Sequence, residues 1–187
     1  MKKQSWNVKN IILLTLSSIF LGTIFLFTNY IYNFISMILT PKGWSPLAND
    51  LLLGIWMMGG PLAAILTKKI FASTLGEILS ATVEAILGGQ WGPSTLISGL
   101  VQGLSSEVGF FICKYKKYNL STLSIAAVTG TIFTFIFDWF KNGYSAYPLH
   151  MLIVLFVVRL ISIWFFSAFL VNKINILIIK SHILKRN

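Results

Sequence analysis

Charge is scarce in this chain: Asp, Glu, Lys and Arg make up 11% of 187 residues, and only five residues are acidic. A soluble domain carries roughly 25% charged residues, and half that fraction cannot coat a water-facing globule, so a soluble protein is excluded. One cysteine, Cys113, leaves no disulfide, thiolate cluster or redox pair. The two histidines, His150 near a span boundary and His182 in the tail, leave no membrane-embedded pair to hold zinc. Neither a Gly-x-Ser-x-Gly elbow nor a Gly-rich Walker loop is present, so the chain cannot hydrolyse ATP by itself and catalysis, an intramembrane enzyme included, finds little support. What is abundant is apolar: 56% hydrophobic, 14% aromatic, with mean hydropathy +0.79. Disorder, which needs low hydrophobicity and high charge density, is excluded as well. The length fits a single domain, residues 1–187.

A membrane helix needs about 20 apolar residues. Six apolar stretches separated by Pro, Gly, Asn and Lys satisfy this: Ile11–Leu39, Asn49–Leu66, Ile70–Leu87, Pro93–Cys113, Leu120–Phe140 and Tyr147–Val171. The first follows Lys2, Lys3 and Lys9, as a signal peptide would. It is about twice the length of such a core and no small-residue cleavage site follows, so it reads as an uncleaved helix that tilts or projects. The expected fold is an all-α, multi-pass membrane bundle of six helices.

The excess of bases follows the topology. With the N-terminus cytoplasmic, the inner segments hold Lys2, Lys3, Lys9, Lys68, Lys69, Lys114, Lys116, Lys117, Lys173, Lys180, Lys185 and Arg186, twelve of fifteen bases. The outer loops hold only Lys42 and Lys141, and Arg159 lies within the last span. Positive-inside bias therefore predicts both termini in the cytoplasm. The net charge of +10 is then a matter of topology and anionic lipid rather than of nucleic acid.

Four acids, Glu77, Glu84, Glu107 and Asp138, lie in or at the edge of spans. A charge in the bilayer core costs about 2.5–3.5 kcal/mol, so such residues face the interior and have a partner or a function. At 1.5 Å per residue, Arg159, Glu107 and Glu77 fall about 18, 20 and 15 Å below the outer ends of their spans, which predicts a midplane ion cluster. Glu84 and Asp138 are shallower. Glu84 has no evident basic partner, which leaves it open to a ligand from outside. A carboxylate bonded only to neighbouring helices is the alternative.

Trp56, Trp91, Trp139, Tyr144 and Tyr147 gather toward the same side. An interfacial belt explains Trp139. Trp56 is deep for a belt residue and suits stacking on a flat or cationic heterocycle, with Gln102 able to donate and accept hydrogen bonds beside it. Ser18-xxx-Gly22 and Gly99-xxx-Gly103 mark close helix seams. Gly59-Gly60-Pro61 predicts a break in the second span, tolerable only if buried or lining a cavity.

Gly54-Ile55-Trp56, Gly76-Glu77-Ile78 through Glu84, Gly88-Gly89-Gln90-Trp91-Gly92-Pro93, Val101-Gln102-Gly103-Leu104 with Glu107, Phe137-Asp138 through Gly143–Tyr147 and Val158–Ser162 occur in this order along nearly the whole chain. Together they resemble the YkoE family, substrate-binding S components of energy-coupling factor (ECF) vitamin transporters. The resemblance implies a six-helix S-component fold in a bacterial cell membrane that takes up thiamine or its hydroxymethylpyrimidine moiety from outside. It implies a transmembrane coupling subunit and two cytoplasmic ATPases as partners, with ATP used only there and no cofactor on this chain. Ser18 and Gly22 stand where S components dock that coupling subunit, with Ser and Gly in place of the usual Ala pair. Glu84, Trp56 and Gln102 supply the carboxylate, aromatic face and amide that thiamine calls for. Tyr144, Tyr147, Glu77, Asp138 and Trp91 complete the expected site. An S component for another small vitamin, or a membrane scaffold whose acids only staple helices, remain as alternatives.

Overall fold

A computed structural model describes residues 6–180, so Lys2, Lys3, His182, Lys185 and Arg186 lie outside the described residues. Helix α1, Val8–Leu39, begins at Asn7, whose side-chain oxygen accepts the Asn10 N–H and so satisfies one of the free amides of the first turn. Its 32 residues rise about 48 Å, well beyond a hydrocarbon core of about 30 Å. A 3-10 turn, Thr40–Lys42, and Gly43 at φ 71° reverse the chain into α2, Pro46–Trp56. The second span then breaks at Met57–Met58 and resumes as α3, Gly59–Thr67, and every residue of the break is buried, as Gly59-Gly60-Pro61 predicts.

Helices α4 (Ala72–Ile86), α5 (Ser94–Ile112) and α6 (Leu120–Lys141) follow. A 3-10 turn at Tyr144–Ala146 leads to α7, Leu149–Ile163, which runs through π-helical turns at Trp164–Leu170 into α8, Val171–Lys180. The last helix thus passes the expected end at Val171. The polar residues Asn172, Lys173 and Asn175 read as a tail, but Lys173 lies over the Phe169 ring at 5.4 Å and stays in the helix.

Among the described residues there is no strand, and five helical segments are long and apolar enough to cross a membrane. The sixth expected span, α4, has 15 residues and rises only about 22 Å. It completes the bundle all the same. Neighbours run α2, α1, α4, α5, α6, α7 and back to α2, with α3 tucked against α1 and α4. Large apolar side chains such as Phe20, Phe34, Ile86 and Phe140 point outward, while Arg159, Glu77 and Glu84 are buried. This is the arrangement that lipid, rather than water, selects.

The small-residue seams lie inside the ring. Gly99 meets Ala81, and Gly103 meets Thr74 and Glu77, so the glycine pair of α5 brings α4 to backbone contact. The role expected of Ser18 and Gly22 is corrected here. Both are buried against α4: Ser18 donates to the Gly76 carbonyl at 3.4 Å, and a Cβ on Gly22 would collide with the Ser80 carbonyl and Val83. Ser18, Gly22, Phe25 and Asn29 form one heptad-like stripe, all buried, so the small pair serves the fold and is not open to a partner.

Candidate functional site

The loops 43–45, 87–93 and 142–148 gather at one end of the bundle, over a cavity of about 400 Å³ between α1, α2, α4, α5 and α6. Of the residues expected at the ligand, Glu84, Trp56, Gln102, Tyr144, Tyr147, Asp138 and Trp91 line this cavity, and Glu77 does not. Glu77 stands two turns, about 10 Å, from Glu84 along α4. Its Oε2 accepts the Gly60 N–H at 2.6 Å, in the first turn of α3 where amides lack intrahelical partners, and its Oε1 has no partner. Glu77 therefore clasps the broken second span beneath the cavity.

The predicted midplane cluster is also corrected. Arg159 pairs with neither Glu77 nor Glu107. Its Nε donates to Asp50 Oδ1 at 2.5 Å and its Nη2 to Asp138 Oδ2 at 2.5 Å. The reason is directional. Helical side chains lean toward the helix N-terminus, so the long Arg159 side chain reaches back toward the loop end, away from the depth of Glu107. Glu107 finds other donors: the Phe71 and Thr74 amides at 3.0 and 2.9 Å, and the Thr74 hydroxyl at 3.2 Å. It caps α4 from a neighbouring helix, where the dipole favours an anion.

Around Arg159 the polar groups are saturated. Nη1 donates to Thr134 Oγ1 at 3.3 Å, and the Tyr144 hydroxyl donates to Asp50 Oδ2 at 3.1 Å. Asn49 and Asn142 amides donate to the two Asp138 oxygens at 3.2 and 2.7 Å. Phe135 and Tyr144 rings lie 5.1 and 5.4 Å from the guanidinium carbon, within cation–π range. Burial pushes the Tyr144 phenol well above its ordinary value, and the nearby Asp50 carboxylate adds to this, so it is a neutral donor. Two anions and one cation meet here with few free lone pairs, which makes Asp138 part of the cavity wall more than a reader of ligands.

The other half of the cavity is different. Glu84 Oε1 accepts one hydrogen bond, from Asn29 Nδ2 at 2.9 Å, and among the described residues no Lys or Arg forms a salt bridge with it. In the same cavity stand Tyr32, Trp56 and Trp91, with ring centroids 5.2–5.9 Å apart. Trp56 is fixed by its indole N–H, which donates to the Phe25 carbonyl at 3.3 Å. Trp91 rides on a loop that turns at Gly88 (φ 93°) and Gly92 (φ 52°), conformations open to glycine at little cost. Trp139, by contrast, is exposed on the outer face of α6 and does not line the cavity. An anion beside an aromatic box, with the Gln102 amide in the wall, is chemically suited to a flat, nitrogen-rich or cationic ring.

Sequence reasoning missed Asp50, Asn49, Asn29, Tyr32 and Thr95. Asn29 carried a signal: it continues the Ser18–Gly22–Phe25 stripe, so its amide had to point at α4. Asp50 carried one too, as the fifth acid, one turn inside α2.

Residues 9–133 match the family described as the ABC-type cobalt transport system, permease component. The chain is 33% identical over 159 residues, 85% of its own length and 77% of the relative's, to YkoE of Bacillus subtilis (strain 168), a protein named for HMP/thiamine permease activity. In structure it superposes on an S component of an ECF transporter with a TM-score of 0.89 and 30% identity, covering 96% of this chain and 89% of that one. It is accordingly a multi-pass membrane protein and a transport component rather than an enzyme, and the chain belongs to the YkoE family of ECF-transporter S components.

Proposed function

We propose that this S component captures thiamine or hydroxymethylpyrimidine at the cavity, from the outer side of a bacterial cytoplasmic membrane. Its partners are a transmembrane coupling subunit and two cytoplasmic ATPases, and it has no cofactor of its own. The carrying observation is the pairing of Glu84, a carboxylate with no salt bridge among the described residues, with the Tyr32–Trp56–Trp91 box in one cavity. An aminopyrimidine offers N–H donors to the carboxylate and a flat face to the rings, and a thiazolium adds a cation for both. The relative's name points the same way. A cobalt ion suits the residues poorly: among the described residues no group of three or more His, Cys, Asp and Glu is placed to hold a metal.

The orientation belongs to the same reading. Both termini lie in the cytoplasm, α4 crosses as a short sixth span, and the Gln90–Trp91 loop faces outward, as the basic residues demand. The test is mass spectrometry of the purified protein for a co-purifying pyrimidine, followed by calorimetric titration with thiamine and with hydroxymethylpyrimidine. Tight binding of either supports the reading. Retention of an unrelated vitamin, or binding of neither, refutes it.

A further inference from the structure

Thr95 is the one cavity-lining side chain, among the described residues, whose buried polar atom has no hydrogen-bond partner. The residue is 8% exposed and stands in the first turn of α5. A threonine in a helix normally returns its hydroxyl to a carbonyl three or four residues back, as Thr67, Thr82, Thr131 and Thr134 do here. Thr95 does not. An orphaned buried hydroxyl is costly and valine would fill the same space without that cost, so its presence in a binding wall points to a partner that arrives with the ligand.

The register of α4 and α5 says which part of the ligand that is. The two helices run antiparallel, with Gly99 against Ala81 and Gly103 against Thr74 and Glu77. One turn from Gly99 toward the loop end brings Thr95 level with the turn of α4 that carries Glu84. A carboxylate acceptor and a hydroxyl donor then stand at one level on adjacent helices, in the cavity that the aromatic box also lines. That pair complements an amidine edge, an exocyclic N–H next to a ring nitrogen with a free lone pair.

We propose that Thr95 is a specificity-determining ligand contact, its hydroxyl donating to the ring nitrogen adjacent to the amino group that Glu84 accepts. The proposal rests on the capture of thiamine or hydroxymethylpyrimidine by this cavity and names the edge that is read. It makes the 4-aminopyrimidine, shared by both ligands, the recognised element.

The test is calorimetric titration of wild type, Thr95→Val and Thr95→Ser with hydroxymethylpyrimidine and with its analogue carrying C–H in place of that ring nitrogen. Removing one neutral hydrogen bond predicts hydroxymethylpyrimidine affinity about 2- to 12-fold weaker in Thr95→Val. Thr95→Ser stays within twofold of wild type. Wild type binds the analogue more weakly by a similar factor, and Thr95→Val no longer distinguishes the two compounds. The ligand-free melting temperature of Thr95→Val does not fall, because an unpaired hydroxyl has been removed. Unchanged affinity in Thr95→Val, or equal discrimination between the compounds by both proteins, overturns the assignment while capture stands. Failure of wild type to bind either thiamine or hydroxymethylpyrimidine overturns the capture reading itself.

Discussion

Replacing Glu84 by Gln removes one negative charge from the cavity and leaves its shape. The Asn29 amide, 2.9 Å from Glu84 Oε1, still finds a carbonyl oxygen to donate to, so the α1–α4 seam keeps its buried polar contact. Among the described residues no salt bridge involves Glu84, so none is broken. On the proposed function, what is lost is the charge-assisted bond to the ligand amino group and the field acting on the thiazolium. Hydrogen bonds to charged groups contribute about 1.5–3 kcal/mol, or about 10- to 150-fold in affinity. Thiamine, with its fixed cation, should lose the upper part of that range and neutral hydroxymethylpyrimidine the lower part. Trp56 and Trp91, both in the cavity wall, give the signal for a fluorescence titration on detergent-purified protein, with melting curves alongside. A Glu84→Gln variant that binds as wild type does, or that only melts earlier at unchanged affinity, would show the carboxylate to be a staple between α1 and α4 and the site to lie elsewhere.

Arg159→Met leaves Asp50 and Asp138 buried without their cation, and should destabilise the fold by about 3–5 kcal/mol, read from denaturant or thermal unfolding. Glu107→Gln weakens the cap on α4, at the opposite end from the cavity; stability should fall by about 1.5–3 kcal/mol with thiamine affinity unchanged by titration. Gly22→Leu wedges α1 from α4 where a single Cβ already collides, so folding yield, ligand binding and cellular uptake should be lost together; preserved binding with lost uptake would return this seam to a partner. For topology, a cysteine at Gln90 should react with an impermeant thiol reagent in intact cells and one at Lys116 should not.

The spans were legible because the bilayer enforces them: each long apolar run became a helix, and the Gly59-Gly60-Pro61 break fell within two residues of its position. The cavity wall was legible for a related reason, since polar and aromatic side chains near the loop end of several spans have little choice but to face one another. Partner choice was not legible. Counting residues along an axis locates a Cα, but Arg159 reaches several ångströms back along its own helix, and Asp50 captures it from α2. Likewise a small-residue pair announces a close approach without saying to what. Ser18 and Gly22 meet α4 because Phe25 and Asn29 continue the same buried stripe, a fact visible only when all four are read together.

The two ends of the cavity divide polar groups by whether their valences are already filled. In a membrane every unfilled valence is expensive, so structural polar groups are mostly filled, as the Asp50–Arg159–Asp138 network nearly is. Its saturation has a consequence for recognition. With the guanidinium held by two carboxylates, the embedded cation offers little to an anionic ligand, and the net charge around the cavity interior remains negative. Glu84 and Thr95 are left underfilled on the facing turns of α4 and α5, and the aromatic box of Tyr32, Trp56 and Trp91 lies in the same cavity. Selectivity then follows from bookkeeping of hydrogen bonds: a ligand binds tightly in proportion to the valences it fills that the protein cannot. A phosphate ester of the same heterocycle, bringing negative charge toward Asp138, should bind more weakly than the free alcohol, and a competition titration between the two decides it. Equal affinity would mean that Lys141 at the cavity rim, rather than the saturated network, sets the charge the ligand meets.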